Sequence, residues 1–384
     1  MTSAVASAPA AAPPVVPRPK VRVPLWDNAR FLSVALVVMG HTLQPQSFDS
    51  DLAMTAYLFI YSFHVPVFML ICGFFSKSEP MDAQRIRALI LDLVVPYVVV
   101  QGIWSVVQLL VEGRLGFNWT TAHWTLWFLL ALAAYRILLP YLAQLRFPLV
   151  WAIVLSVAVG YWANIDSTLA LTRIIGLLPF FVLGWMLKRS TLPDRWIGAP
   201  TRAVVAIRAA AAAVIVGWIA VIAANIRFFD AIDLRLWFFY DDSYANLLGG
   251  TAPWWAGPVR LGLMALTVLL CAAFLVLVPR RATVFTALGA ATMYVYLLHT
   301  FVLYPIRQSG FLRGDHATEL WVIGAMVFAV LVAFALASKP VRWAFRWLIE
   351  PKVPWLFARE PGPPAAGAGS VRAAPDAPPR APSP

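Results

Sequence analysis

Three ionisable side chains sit in one otherwise apolar stretch, Trp26-Asp27-Asn28-Ala29-Arg30-Phe31-Leu32-Ser33-Val34-Ala35-Leu36-Val37-Val38-Met39-Gly40-His41. Read as a helix, the step from Asp27 to Arg30 places both on neighbouring positions of one face. The step from Arg30 to His41 makes almost three whole turns, so His41 shares that face, about 16 Å further along the axis. A guanidinium fork suits a phosphate, which it grips through two parallel hydrogen bonds. A neutral imidazole suits removal of a proton from a hydroxyl near neutral pH. An apolar span bearing such a stripe costs roughly 2.5–3.5 kcal/mol per central charge to insert, so something inside the protein must use it. A scaffold without chemistry would leave Asp27, Arg30 and His41 unexplained.

Further chemistry-bearing residues fall in other apolar runs. His64 lies in Phe63-His64-Val65-Pro66-Val67-Phe68, beside a helix-perturbing proline. Arg85-Ile86-Arg87 opens the next run, and His299 closes Tyr294-Val295-Tyr296-Leu297-Leu298-His299. The pattern is a basic cluster (Arg30, Arg85, Arg87) at one depth and histidines (His41, His64, His299) further along. A phosphorylated donor entering from the basic side, with its reactive end near His41, would use both. An extended pantetheine arm is of the same order of length as the Arg30–His41 offset. Plainer roles stay open for each residue. Arg85 and Arg87 also suit membrane anchors, and His64 and His299 suit interhelical hydrogen bonding. His123 reads as an interfacial residue, and Arg173 as a structural partner of Asp166. Cys72 and Cys271 lie inside apolar runs and read as small buried hydrophobes rather than a disulfide. No metal-ligand spacing, phosphate-cradling glycine loop or GxSxG element occurs, so no metal is expected.

The elements that position these residues are membrane helices. The chain is 61% hydrophobic and 12% charged, with a mean hydropathy of +0.75, against about 45–50% and 25% for soluble domains. The formal charge of +12 is scattered between apolar runs, which reads as a topology signal and not as a nucleic-acid surface. The expected fold is all-α and polytopic. With about 20 apolar residues needed per crossing, ten spans are expected, near 25–43, 52–76, 87–111, 123–139, 148–163, 168–188, 203–224, 258–279, 283–304 and 319–337. Placing both termini in the cytoplasm puts most of the 30 basic residues inside. The connection near 225–257 holds Asp230, Asp233, Asp241, Asp242 and many aromatics, and suits either sugar contact or an interfacial cap.

Residues 1–23 read as a disordered, basic, Pro/Ala-rich tail without a cleavable signal. Residues 24–340 form the membrane domain, 341–358 an interfacial basic-aromatic segment, and 359–384 a second disordered Pro/Ala-rich tail.

At these residues the chain resembles the integral-membrane acyltransferase family 3, in particular its fucose 4-O-acetylase-like branch. The resemblance runs over about 24–340. It rests on Leu25-Trp26-Asp27-Asn28-Ala29-Arg30 with Val37-Val38-Met39-Gly40-His41, supported by the Phe63–Phe68 and Gly73-Phe74-Phe75 segments, Arg85-Ile86-Arg87 and Tyr294–His299. It implies transfer of an acyl group, commonly acetyl, from cytoplasmic acyl-coenzyme A to a hydroxyl of an outward-facing sugar or envelope glycan, at the bacterial plasma membrane. His41 matches the essential histidine and Arg30 its basic partner. Arg85 and Arg87 match the pair that meets the coenzyme, while Asp27, His64 and His299 fall in matching segments and complete the expected catalytic set. The tail is expected to be too short for the extra soluble domain of some members. The residues alone leave open whether His41 acts as a base or is transiently acylated. They also leave open a rival class, a transporter or flippase for a glycan or lipid-linked sugar. Transporters usually carry paired repeats and broken helices, and no repeat is evident here.

Overall fold

Pro66 breaks the second apolar run and sets where His64 stands. Proline has no N–H, so the carbonyl four residues earlier, on Ser62, loses its helical donor. The computed structural model, which describes residues 22–113, 118–163 and 168–357, shows what replaces it: Thr267 Oγ1 donates to Ser62 O at 2.8 Å. The run accordingly divides into two helices, Asp51–Tyr61 and His64–Phe75. His64 caps the break by donating from Nδ1 to Ile60 O at 2.9 Å. A second proline acts more gently. Pro96 lies just after a wide π turn at Ile90–Val94, where the helical ladder slips past the missing donor.

In chain order the main helices are α1 (Pro24–Leu43), α2 (Asp51–Tyr61), α3 (His64–Phe75), α4 (Ala83–Leu89) and, after the π turn, α5 (Val95–Glu112). There follow α6 (Trp127–Leu142), α7 (Pro148–Val159), α8 (Leu171–Arg189) and α9 (Thr201–Ala224). The last three are α10 (Ala256–Leu277), α11 (Thr292–Gln308) and α12 (Glu319–Leu336). No strand occurs among the described residues. Each of the ten expected spans is helical, but seven helical stretches are both long and apolar enough to cross a membrane: 51–75, 83–112, 168–189, 201–224, 256–277, 286–308 and 319–336. The other three differ for physical reasons. Helices α6 and α7 are short, and α1 carries the polar stripe that lowers its hydropathy. Both expected tails fall almost wholly outside the described residues. The basic-aromatic segment after α12 forms two short helices, Lys339–Ala344 and Arg346–Ile349.

Helix α1 lies at the centre, touching α2, α3, α11, α12 and the 3-10 turn Thr286–Ala291. Fourteen of its twenty residues are buried. The polar residues at its start are individually satisfied. Asn28, fully buried, donates to Pro279 O and Arg281 O and accepts from the Thr283 and Thr286 hydroxyls at 2.7–3.0 Å. That network ties the start of α1 to the turn before α11. Gly289 permits it, because a methyl group there would lie 2.3 Å from Asp27 O. Helix α9 is the opposite case: most of its apolar surface faces outward, as expected of a lipid-facing helix.

Candidate functional site

The stripe on α1 opens onto two separate spaces. At its start, Arg30 lines a cavity of about 440 Å³ together with Phe68, Cys72, Phe75, Lys77, Arg85 and Arg136. Arg30 is held there from two sides, by Asp27 at 3.6 Å and by the face of Phe75 at 3.9 Å. Arg85 is tied to Glu79 at 3.2 Å and to Asp82, the cap of α4, at 3.7 Å. Among the described residues neither Lys77 nor Arg136 pairs with a carboxylate. The cavity therefore carries four cations, two of them in no ion pair with a carboxylate, an arrangement suited to phosphates.

Towards its end, α1 presents His41 to a second chamber of about 140 Å³, shared with Gln44, Tyr61, His64, Trp124, Trp127, Arg173, Phe238 and Phe239. The three histidines expected from sequence converge. The rings of His41 and His299 are 5.4 Å apart, and Tyr61 lies 4.6 Å from His64 and 6.4 Å from His41. His64 and His299 each present Nδ1 to the carbonyl four residues back, on Ile60 and Val295. A carbonyl only accepts, so Nδ1 carries the hydrogen and Nε2 keeps the lone pair in the neutral ring. His41 Nδ1 and His299 Nε2 are buried without a hydrogen-bond partner among the described residues. Polar atoms left so are rare in native interiors, and each calls for a specific role or a partner such as water.

The far side of this chamber is built by the 225–257 connection. Phe238 and Phe239 line it, and Asp241 forms an ion pair with Arg173, whose guanidinium also stacks over Trp127 at 5.0 Å. The alternative partner Asp166 lies outside the described residues. Tyr240, beside Asp241, and Trp124 both adopt left-handed backbone, with φ of 56° and 45°. Such residues cost of order 1–3 kcal/mol each and persist where packing over-determines them. Tyr240 is wedged against Gly176, where a methyl group would meet its carbonyl at 2.9 Å, and lies under the buried guanidinium of Arg260. Beside it, the Asp242 carboxyl is pushed up by burial and then by the charge of Asp241.

Between the two spaces lies a compartment of about 30 Å³, lined by His41, His64, Phe68, Thr125, Trp127, Phe128 and Tyr296. It shares Phe68 with the cationic cavity and His41, His64 and Trp127 with the outer chamber. The three spaces thus follow one another along α1.

Two expected site residues stand apart from this arrangement. Asp27 does not orient His41, because fourteen residues of helix separate them by about 21 Å; its carboxylate pairs with Arg30 instead. Arg87 is not among the residues lining the cationic cavity, since a two-residue step turns it about 200° from Arg85 on a helix. Arg136 and Lys77 take the place expected of it. Nothing in their local sequence pattern distinguishes either from the other basic residues that flank the apolar runs. His123 stacks on Trp104 at 4.7 Å, outside all three spaces. Cys271 is buried, whereas Cys72 lines the cationic cavity.

A bundle of apolar helices thus encloses a file of cations and histidines, polar groups that a membrane-embedded chain keeps where they have a function. The comparison with known families identifies it more closely: the family model described as an acyltransferase domain matches residues 24–338. The chain belongs to the acyltransferase 3 family and is a membrane acyltransferase. No curated protein and no solved structure gives a match.

Proposed function

We propose that the protein moves an acetyl group from cytoplasmic acetyl-coenzyme A to a hydroxyl of an outward-facing sugar of an envelope glycan, at the bacterial plasma membrane. The observation that carries this reading is the file along α1, in which a cationic cavity at Arg30 leads past Phe68 to His41. Arg30, Arg136, Lys77 and Arg85 would hold the phosphates of the coenzyme, and the pantetheine arm would carry the thioester towards His41. The acceptor would lie in the outer chamber, where Trp127, Phe238 and Phe239 offer faces for a sugar ring and Arg173 and Asp241 offer polar contacts. The ten-segment count with both termini inside follows if α1, α6 and α7 join the seven long apolar helices, the cationic cavity then facing the cytoplasm. Likeness in the Arg30–His41 segment to the fucose 4-O-acetylase-like branch supports a sugar acceptor.

In the reaction the acceptor oxygen forms a bond to the acyl carbon and the carbon–sulfur bond breaks. His41 takes the hydroxyl proton and returns it to the departing sulfur, giving an ester and free coenzyme A thiol. His299, in ring contact with His41, would steady the imidazole through its protonated state. Purified protein in nanodiscs, given acetyl-coenzyme A labelled in the acetyl group and a panel of methyl hexopyranosides, tests this. Acetylated glycoside and stoichiometric thiol release, both lost in His41→Ala, are expected. Movement of a lipid-linked sugar across proteoliposomes without acyl transfer, unaffected by His41→Ala, would favour a transporter. Label trapped on His41 before acceptor is added would replace the direct route by an acyl-histidine.

A further inference from the structure

Phe68 occupies a position that the acyl-transfer scheme does not itself explain. It is the residue common to the cationic cavity and the small compartment beside His41, and it is buried. Its ring packs on Phe128 with centroids 5.0 Å apart, and Phe128 in turn packs on Tyr296 at 5.2 Å. Tyr296 is fixed from the other end, its hydroxyl donating to Thr125 O. Three aromatic rings from α3, α6 and α11 therefore form one wall, and anything passing from the cations to the histidines must pass Phe68.

The compartment behind that wall has about 30 Å³. The spaces on either side have about 440 and 140 Å³, so this is the narrowest part of the path. Acetyl, the short acyl group of the proposed donor, asks least of it. A longer chain has nowhere to extend except the outer chamber, where the acceptor must sit.

We infer that Phe68, backed by Phe128 and Tyr296, is the specificity-determining residue for the donor: it narrows the passage beside His41 and selects a two-carbon acyl group over longer ones. The inference rests on the donor assignment made above and gives its preference for acetyl a steric cause. Each methylene that a well-packed apolar site must exclude is discriminated by about 10–200-fold, so two methylenes compound to at least a hundredfold.

The test is the chain-length profile of the full-length protein in nanodiscs. Thiol release is measured with acetyl-, propanoyl- and butanoyl-coenzyme A in the presence of the mixed methyl hexopyranosides. The wild type is expected to prefer acetyl over butanoyl by at least a hundredfold. In Phe68→Ala the ratio should fall below tenfold because butanoyl turnover rises. A folding defect lowers all three rates together and does not move their ratio. Should Phe68→Ala not fold, Phe68→Leu, which keeps an apolar side chain, should shift the ratio the same way. A wild-type ratio below a hundredfold, or an unchanged ratio in a folded Phe68 variant, overturns the inference and leaves the donor assignment standing. No thiol release from any thioester by the wild type overturns the donor assignment, and the selector with it.

Discussion

His41 and His299 come from helices at opposite ends of the chain and stand with their rings 5.4 Å apart. Each keeps one buried ring nitrogen without a hydrogen-bond partner among the described residues. Their surroundings otherwise differ, since His299 is fixed by Val295 O while His41 opens on the chamber. On the proposed function His41 is thus the residue in reach of an acceptor, and His299 would position it from behind. His41→Ala should lower kcat by 10²–10⁴-fold, the range general-base removal produces, with the donor KM unchanged. His299→Ala should cause a smaller fall in kcat, again without a change in KM. Thiol-release kinetics with acetyl-coenzyme A check both.

The cationic cavity leads to a separable prediction about the donor. Lys77 and Arg136 line it without a carboxylate partner, whereas Arg87 is not part of its lining. A hydrogen bond to a charged group contributes about 1.5–3 kcal/mol. Arg136→Ala and Lys77→Ala should therefore each raise the donor KM by about ten- to a hundredfold, with kcat little changed. Arg87→Ala should move KM less than either. Equal effects from all three would mean that general positive charge matters and not the cavity.

How much of this was legible beforehand depends on the distance over which each feature is encoded. The shared face of Arg30 and His41 follows from helical periodicity alone, and their spacing along α1 is a property of the local backbone. The convergence of His64 and His299 on His41 needed tertiary packing that no single stretch contains. Asp27 shows the limit of face-sharing: lying on the same stripe put it beside Arg30 but left it far from His41. Arg87 shows the same limit in reverse, because adjacency in sequence turned it away from Arg85. Phe68, Arg136 and Arg173 look like ordinary residues of apolar helices. What singles them out is which cavity they border, and that depends on three or more helices at once. The seven long apolar helices were readable because hydropathy is additive along a segment, whereas α6 and α7 are shortened by their turns.

Arg173 and Asp241 link α8 to the 225–257 connection through one partly buried ion pair. Removing one partner leaves the other charge uncompensated, which costs more than removing both. Arg173→Ala and Asp241→Ala should each lower the activity towards methyl hexopyranosides, and the double variant should lower it less than the sum of the two, with a coupling of about 0.5–3 kcal/mol. The donor KM should stay constant throughout, because neither residue borders the cationic cavity. A double-mutant cycle on kcat/KM for the acceptor measures this. Additivity would mean that the pair does not shape the chamber.

Helices α3 and α8 meet backbone to backbone, and two glycines make it possible. A methyl group on Gly73 would lie 2.0 Å from Phe181 O, and one on Gly184 would lie 1.9 Å from Leu70 O. Neither clash can be relieved by turning a side chain, since the obstructing atoms are main-chain carbonyls. Small residues at such crossings supply the close packing that holds membrane helices together where lipid removes the hydrophobic drive. Gly73→Ala and Gly184→Ala should each destabilise the protein by at least the 1–3 kcal/mol typical of overpacking. The double variant should cost less than the sum, because one separation of the helices relieves both contacts. Since α3 carries His64 and Phe68, the single variants should also lose transfer activity in whatever fraction remains folded. Gly217, in the middle of α9, has no atom within 4 Å of an added methyl group. Gly217→Ala should be neutral or stabilise by about 0.5–1 kcal/mol, as alanine does for glycine inside a helix. Thermal unfolding of the four variants in the same detergent reads the comparison directly. If Gly73→Ala unfolds at the temperature of Gly217→Ala, the two backbones are not in contact and the position of His64 relative to His41 must be set some other way.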